Sequence, residues 1–382
     1  MSEQLSQYDE IRPYSPEELP AVLSELLEDP MFTAIVQNFF QGVPVEALKA
    51  KMLSCRNNLE FQKAFIYPLI KQLLAKNCTG LTFESALEPS KRYTYVSNHR
   101  DIVLDSALLS IVLIENGFED TPEIAIGDNL LIYPWIKKLV RVNKSFIVQR
   151  SLSMREMLES SRRMSSYMHY AINEKQQSIW IAQREGRAKD SNDRTQESVL
   201  KMMAMGGEGT PTERLKSLNI APLSISYEYD PCDYLKAQEF QQKRDNPDFK
   251  KSREDDLKNM QTGIFGYKGQ VHYQVAPCIN EWIDEMSTLP KGEFFSAVAQ
   301  RMDADIFRNY RLYPGNYVAA DLLESSTRFA SHYTEEQKQQ FEKYVQSRIA
   351  LVELPNPDTA YLRERILEMY ANPVLNQLSV QQ

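Results

Sequence analysis

The spacing of apolar positions changes near residue 92. Between residues 15 and 80, apolar residues recur every three or four positions, which is typical of amphipathic helices. From residue 92 onward, short runs rich in β-branched and aromatic residues alternate with segments of helical spacing. The predicted strands are RYTYVS (92–97), PEIAIG (122–127), KSFIVQ (144–149), QSIWIA (177–182), IAPLSISY (220–227) and GQVHYQVA (269–276).

Helical patterns fill most gaps between these strands, at 102–116, about 131–141, 153–174 and roughly 194–205. Such an alternation favours an α/β fold with a largely parallel central sheet flanked by helices. The charged segment 230–260 has little β character and is predicted to be a helical excursion between two strands. We therefore predict a helical N-terminal region (1–85), an α/β domain (86–285) and a helical C-terminal region (286–382).

The composition is that of a soluble globular protein, with 42% hydrophobic and 25% charged residues among 382. The net charge of −8 argues against a general nucleic-acid-binding surface. Four scattered cysteines without a C-x-x-C pair indicate reduced thiols. The acidic start, MSEQLSQYDEIRPYSPEELP, is unlike a signal peptide, and no apolar run approaches the ~18 residues that span a bilayer. We expect a cytoplasmic protein, soluble or attached peripherally to the inner face of a membrane.

Polar clusters follow four consecutive predicted strands. Ligands of open α/β sheets bind beyond the carboxyl ends of the strands, so these clusters predict where the site lies. Arginine recurs among them, and guanidinium groups suit phosphate or carboxylate. The clusters are Asn98 to Asp101, Asp128 with Asn129, Arg150, and Gln183 to Lys189.

His99 is the candidate general base, because a neutral imidazole accepts a proton near neutral pH. A base needs an acid that orients its second ring nitrogen, and Asp101 and Asp105 are the candidates. Residues six apart on one continuous helix point to different faces, so Asp105 reaches His99 only if His99 precedes the helix. We favour Asp105 as the partner and Asp101 as the helix cap. The four histidines lack metal-ligand spacing, so we expect no metal site.

The order of these blocks resembles the glycerolipid acyltransferase superfamily, which includes glycerol-3-phosphate and 1-acylglycerol-3-phosphate acyltransferases. The first family block, a histidine and an aspartate at the start of a helix, is similar to NHRDIVLDSALLS (98–110). The similarity covers about residues 90 to 280. Further similar blocks are GDNLLIYPWIKKLVRVNKSFIVQRS (127–151), IWIAQREGRAK (179–189), IAPLSISYE (220–228) and GYKGQVHYQVAPCI (266–279).

Three positions depart from the family pattern. Five residues separate His99 from Asp105 where the family has four, since Leu104 occupies the usual position of the acid. Gln149 stands where the first of two arginines is usual. In the third block either Arg184 or Glu185 takes the family's glutamate position, depending on the alignment.

The resemblance implies an O-acyltransferase whose His99, held by Asp105, deprotonates an acceptor hydroxyl. The donor would be an acyl-CoA or an acyl carrier protein thioester, and no further cofactor is expected. Glycerol 3-phosphate, a lysophospholipid and another polar lipid all stay open as acceptor, with a membrane surface as a further partner. The alternative is a catalytically inactive member of the same fold that binds lipid or acyl carrier. The expected substrate-binding residues are Arg100, Asn129, Arg150, Arg184, Glu185, Gly186, Arg187 and Lys189.

Overall fold

The computed structural model describes residues 6–150 and 153–381, with Met154 described by its backbone alone. Residues 1–5 of the acidic start, Ser151 of the second similar block and Gln382 lie outside the described residues. The N-terminal region is helical, as the apolar spacing predicts. Its elements are α1 Leu19–Glu28, α2 Pro30–Phe39, α3 Val45–Leu53, α4 Asn58–Phe61, a π-helix Gln62–Ile66, and α5 Tyr67–Asn77.

A seven-stranded sheet follows, in the spatial order β1-β7-β6-β2-β5-β3-β4. Strands β2 to β6 run parallel to one another, and β7 is antiparallel to β6 and parallel to the edge strand β1. The predicted α/β class with a largely parallel sheet is confirmed, and all six predicted strands are present. The strands are β1 Cys78–Ser85, β2 Thr94–Ser97, β3 Glu123–Gly127, β4 Ser145–Val148, β5 Ile179–Ala182, β6 Ile220–Tyr227 and β7 Gly269–Val275.

Strand β1 is the strand that the sequence pattern did not predict. It follows α5 directly, without a glycine or proline between them, and Gly80 and Thr82 dilute its apolar alternation. Its partner is the distant β7, in a register from Cys78 opposite Gly269 to Ser85 opposite Val275. The sheet therefore includes residues that the sequence division had assigned to the helical N-terminal region.

Helices cover both faces of the sheet, because alternate residues of each strand point to opposite sides. In β2, Tyr95 packs on the face covered by α5 and α6, and Val96 packs on the other face. That second face is covered by α8, α9, α10 and α13. The connecting helices are α6 Leu104–Glu115, α7 Pro134–Val142, α8 Met154–Asn173, α9 Glu197–Met203 and α10 Pro211–Ser217.

Two helices between β6 and β7, α11 Asp233–Asp245 and α12 Arg253–Phe265, form the predicted helical excursion. The C-terminal helices build a further apolar core, to which Ala237 of α11 contributes. A buried Asp233 ties α11 to them through Arg348 Nε (2.6 Å) and Tyr370 Oη (2.9 Å). The C-terminal helices are α13 Lys291–Arg308, α14 Pro314–Glu324, α15 Glu335–Ile349 and α16 Thr359–Ser379.

Among residues 6–150 and 153–381, no helix is both long enough and apolar enough to cross a membrane. The long apolar run ALLSIVLI lies inside α6, where most of its side chains are buried against the sheet.

Candidate active site

The loop after β2 is set by Asn98. Its side-chain amide accepts from the backbone N–H of Ile225 (2.8 Å) and donates to the carbonyl oxygen of Ile225 (2.9 Å). These two bonds continue the pairing of β2 with β6 through a side chain. The backbone is then free to turn away from the sheet, and His99 lies in that turn, before α6 begins at Leu104.

His99 Nδ1 lies 2.8 Å from Asp105 Oδ2. Asp105 is the second residue of α6, and its carboxylate also accepts from the backbone N–H groups of Arg100 (2.6 Å) and Asp101 (3.0 Å). One carboxylate therefore shapes the loop and orients the ring. Such a partner places the hydrogen on Nδ1, so Nε2 carries the lone pair that can take a substrate proton. The His99 side chain is 14% exposed, enough for a substrate atom to reach it.

Asp101 caps α6 and does not contact the ring. Its Oδ1 accepts from the backbone N–H groups of Val103 (2.9 Å) and Leu104 (2.8 Å). Burial, with Asp105 nearby, raises the pKa of Asp101. The fifth intervening residue between His99 and Asp105 is thus absorbed by the capped turn, and the ring contact is kept.

Two tyrosines from the sheet hold Asp105 from behind. Tyr227 Oη donates to Asp105 Oδ1 (3.1 Å), and Tyr273 Oη donates to the backbone carbonyl of Asp105 (2.9 Å). Burial raises the pKa of Tyr227 well above its usual value, so its hydroxyl keeps its proton. The ring of Trp180 meets His99 edge to face at 5.6 Å and limits its rotation.

A cavity of about 750 Å³ opens beside His99. Its lining is apolar over long stretches, with aliphatic side chains from the π-helix, α5, α6, β3 and α7. The polar side chains lie where the strands end. Of the predicted substrate contacts, the cavity is lined by Asn129, Arg150, Arg184, Glu185, Gly186, Arg187 and Lys189.

The cations at the cavity differ in how far protein carboxylates neutralise them. Lys189 pairs with Glu239 at 2.6 Å, and Arg150 reaches Glu185 only at 3.4 Å. Arg184 has no ion pair or hydrogen bond among the described side chains, and Arg187 Nη1 is buried without a hydrogen-bond partner. Arg184 and Arg187 therefore have the most donor capacity left for an anionic ligand.

Gly186 makes the turn that carries these arginines. Its φ of +68° is a backbone conformation that glycine adopts at little cost and other residues rarely adopt. The turn brings Arg184 and Arg187 to the same cavity from positions three apart. The Glu-Gly pair in QREGRAK is therefore a turn that presents guanidinium groups, and Glu185 is largely exposed beside it.

Arg100 does not line the cavity with the other predicted substrate-binding residues. Its guanidinium is buried on the opposite side of the loop, where Nη2 pairs with Asp193 Oδ2 at 2.7 Å and the group lies over the ring of Tyr310. Burial alone would lower the pKa of Arg100, but Asp193 raises it above its usual value. This position argues against the predicted substrate-binding role, because the guanidinium is already paired with Asp193 and does not line the cavity beside His99. Arg100 instead ties the His99 loop to the loop that carries Arg184 and Arg187.

The loop after β5, which carries Arg184 and Arg187, is also anchored by Asp303 of α13. Asp303 Oδ1 accepts from Thr195 N (2.8 Å) and Thr195 Oγ1 (2.6 Å).

Burial raises the pKa of Asp303 to about 6. The unfolded chain loses this proton near pH 4 while the folded protein retains it to about pH 6, so stability falls as pH rises through that window. We expect Asp303→Asn to raise the free energy of unfolding by about 1–3 kcal/mol at pH 8, with the gain vanishing near pH 4.

Chemical denaturation at both pH values measures this difference. Glu293→Gln, at an exposed position on the same helix, controls for the loss of one negative charge. An equal effect of Asp303→Asn at pH 4 and pH 8 would contradict the assignment.

Several residues of the site had no signal in the sequence. The sequence gives no sign that Tyr227, Tyr273 and Trp180 differ from ordinary strand residues, since aromatic side chains are common in strands. Asn259, which accepts from Arg187 Nη2 at 3.0 Å, lies on α12, far along the chain from Arg187. In the described part of the chain, no group of three or more His, Cys, Asp or Glu side chains is placed to hold a metal ion.

The fold and the site together define an α/β protein with an imidazole–carboxylate pair beside a long, mainly apolar cavity. Residues 80–225, which include β2 to β5, His99 and Asp105, match the family model described as Acyltransferase. This part of the chain is therefore similar to acyltransferase domains, which confirms the resemblance that the sequence indicated.

The crystal structure of the 1-acyl-sn-glycerophosphate (LPA) acyltransferase PlsC from Thermotoga maritima is a similar solved structure. The identity is 12% and the TM-score 0.37, over 75% of this chain and 95% of that chain. No curated protein matches the chain. At such low identity and TM-score, the assignment depends on the family match.

Proposed function

We propose that the protein transfers a fatty acyl group from a thioester donor to the hydroxyl of a phosphate-bearing glycerolipid precursor, with His99 as general base. The donor is an acyl-CoA or an acyl carrier protein thioester, and the acceptor is glycerol 3-phosphate or its 1-acyl derivative. The observation that carries the proposal is the His99–Asp105 pair at a cavity that is apolar over most of its lining and is also lined by Arg184 and Arg187, neither of which forms an ion pair.

The proposed step conserves atoms and protons. The acceptor oxygen attacks the thioester carbonyl carbon while its proton passes to His99 Nε2, and the C–S bond then breaks. The leaving sulfur takes the proton from Nε2, so an ester and a free thiol are formed and His99 returns to its starting state. Asp105 stabilises the imidazolium that exists in between, since it accepts from Nδ1 at 2.8 Å.

Arg184 and Arg187, with Arg150, would bind the acceptor's phosphate. Arg187 is half-buried, with its Nη1 enclosed, whereas Arg150 is about a third exposed. Binding the phosphate at a fixed distance from His99 places the hydroxyl for attack, and such positioning lowers the barrier by reducing the entropy lost in the reaction. Lys189 contributes less, because Glu239 already neutralises it.

The apolar part of the cavity would hold the acyl chain, and Ala107 of α6 is one of its smallest lining residues. We expect Ala107→Phe to lower kcat/KM about tenfold or more for donors of about 16 carbons and to spare donors of about 8 carbons, because the larger ring fills space that only the longer chain uses. A donor-length series measures this. Ala360→Phe, at an exposed position on α16, is the matched control. An equal loss of kcat/KM for the long and the short donors would show that the acyl chain does not pass Ala107.

The proposed function is tested by offering purified full-length protein a panel of acceptors with acyl-CoA and acyl carrier protein donors. Product ester and released thiol are measured together, so that thioester hydrolysis is separated from transfer. Transfer to phosphate-bearing acceptors, lost in His99→Ala, supports the proposal. Transfer only to phosphate-free acceptors, or donor binding without turnover, would contradict it.

A further inference from the structure

Helix α12 lies outside the matched residues 80–225 yet forms one wall of the site. Lys251 before it, and Asp256, Met260 and Ile264 within it, line the cavity. Its Gly263 packs directly on the catalytic loop, because a Cβ at that position would come within 2.2 Å of Asp101 Oδ2. The helix is thus held against both the loop of His99 and the cavity.

Asn259 is the buried residue of α12 that contacts Arg187. Arg187 Nη2 donates to Asn259 Oδ1 at 3.0 Å, and Asn259 Nδ2 donates to the carbonyl oxygen of Asp255 at 2.8 Å. The second bond fixes which way the amide faces, because the nitrogen is used by the helix and only the oxygen is left for the guanidinium.

The partner of Arg187 is a neutral amide, whereas three other cations at or near the site have carboxylate partners. Arg100 pairs with Asp193, Lys189 with Glu239 and Lys251 with Asp256. Among the described residues no carboxylate forms an ion pair with Arg187, and its Nη1 has no hydrogen-bond partner. Asp230 and Asp101 lie near enough to raise the pKa of Arg187, but neither contacts the guanidinium as an ion pair. A bound anion in direct contact would therefore add a charge-assisted hydrogen bond that the protein does not supply.

We propose that Asn259 is a positioning residue, which aims Arg187 at the anionic group of the acceptor without forming an ion pair with it. The inference rests on the proposed function, since the anionic group there is the acceptor's phosphate. A carboxylate at position 259 would hold the guanidinium more strongly, but its charge would cancel the attraction that Arg187 exerts on phosphate.

The first test is Asn259→Asp, which keeps the side-chain shape and adds the charge. We expect the KM for the phosphate-bearing acceptor to rise about 10- to 100-fold, with kcat and the donor KM within about twofold of the wild type. For the same acceptor without its phosphate, kcat/KM should not change. A merely structural role would lower kcat and affect both acceptors alike, and either result would overturn the inference.

Three further variants sharpen the test. Asn259→Ala removes the hydrogen bond that orients Arg187 without adding a charge. It should raise the acceptor KM by less than Asn259→Asp does. Asn259→Asp should have little further effect when combined with Arg187→Gln, because both changes act on one interaction. Gln261→Ala, exposed on the same helix, should match the wild type. Thermal unfolding of each variant shows whether it is folded. If the effects of Asn259→Asp and Arg187→Gln on the acceptor KM were additive in the double variant, the inference would be overturned.

Isothermal titration calorimetry of the full-length chain with inorganic phosphate separates this inference from the proposed function. We expect phosphate to bind the wild type and to bind Asn259→Asp at least about tenfold more weakly. If no phosphate-bearing acceptor is acylated, the proposed function fails while this titration still decides the role of Asn259. Equal phosphate affinity in the two proteins, or no binding to the wild type, would overturn the inference.

Discussion

Replacing His99 by alanine should lower kcat for acyl transfer by about 10²- to 10⁴-fold and leave the fold and phosphate binding intact. The imidazole beside the cavity is the proposed general base, and positioned bases of this kind contribute about that factor. The loop should survive, because its backbone is held by Asp105 and Asn98 rather than by the ring. Steady-state kinetics, thermal unfolding and phosphate titration measure the three quantities.

His332→Ala is the matched control for this variant. His332 is exposed and stacks on Tyr317 in the C-terminal region, so its loss should leave kcat unchanged. Acyl transfer that persists in His99→Ala at a rate near that of the wild type would remove the general-base mechanism, whatever the other variants show.

The second large effect is expected from Asp105→Asn, which should lower kcat about 10²- to 10⁴-fold and also destabilise the protein. The carboxylate accepts from His99, from two backbone N–H groups and from Tyr227. An amide turns one acceptor atom into a donor that faces other donors, in a site without solvent exposure. We expect a loss of about 2–4 kcal/mol in the free energy of unfolding, measured by chemical denaturation.

Asp101→Asn is the matched comparison, because Asp101 caps α6 through one oxygen and does not contact the ring. Its amide oxygen can still accept from Val103 and Leu104, so kcat should stay within about tenfold of the wild type. A larger loss of kcat in Asp101→Asn than in Asp105→Asn would show that the wrong carboxylate has been paired with His99.

The sequence predicted the strands that can be recognised from the apolar pattern of their own residues. Strands β3 and β5 are short β-branched or aromatic runs between helical segments, and each was found where the pattern indicated. Strand β1 was not predicted, since Gly80 and Thr82 weaken its alternation and its stability comes from pairing with β7. The pairing of a strand with a partner almost 200 residues away in the chain leaves no local trace.

The same distinction applies to the site. The pairing of His99 with Asp105 could be anticipated, because the two residues are close in sequence and a turn before a helix brings them together. The placement of Arg100 could not, because a residue next to a candidate base can face either the cavity or the core. Its burial against Asp193 depends on where the loop after β5 folds.

By itself, the sequence determined the α/β class, the strand ends that carry polar residues, and the candidate base with its acid. These features follow from spacing along the chain, which fixes how neighbouring residues can face one another. Only the tertiary structure decided which arginines lack an ion pair, that Tyr227 and Tyr273 hold Asp105, and that Asn259 contacts Arg187. Those contacts join residues distant in the chain, and side chains from separate elements meet only when the sheet and its helices have packed.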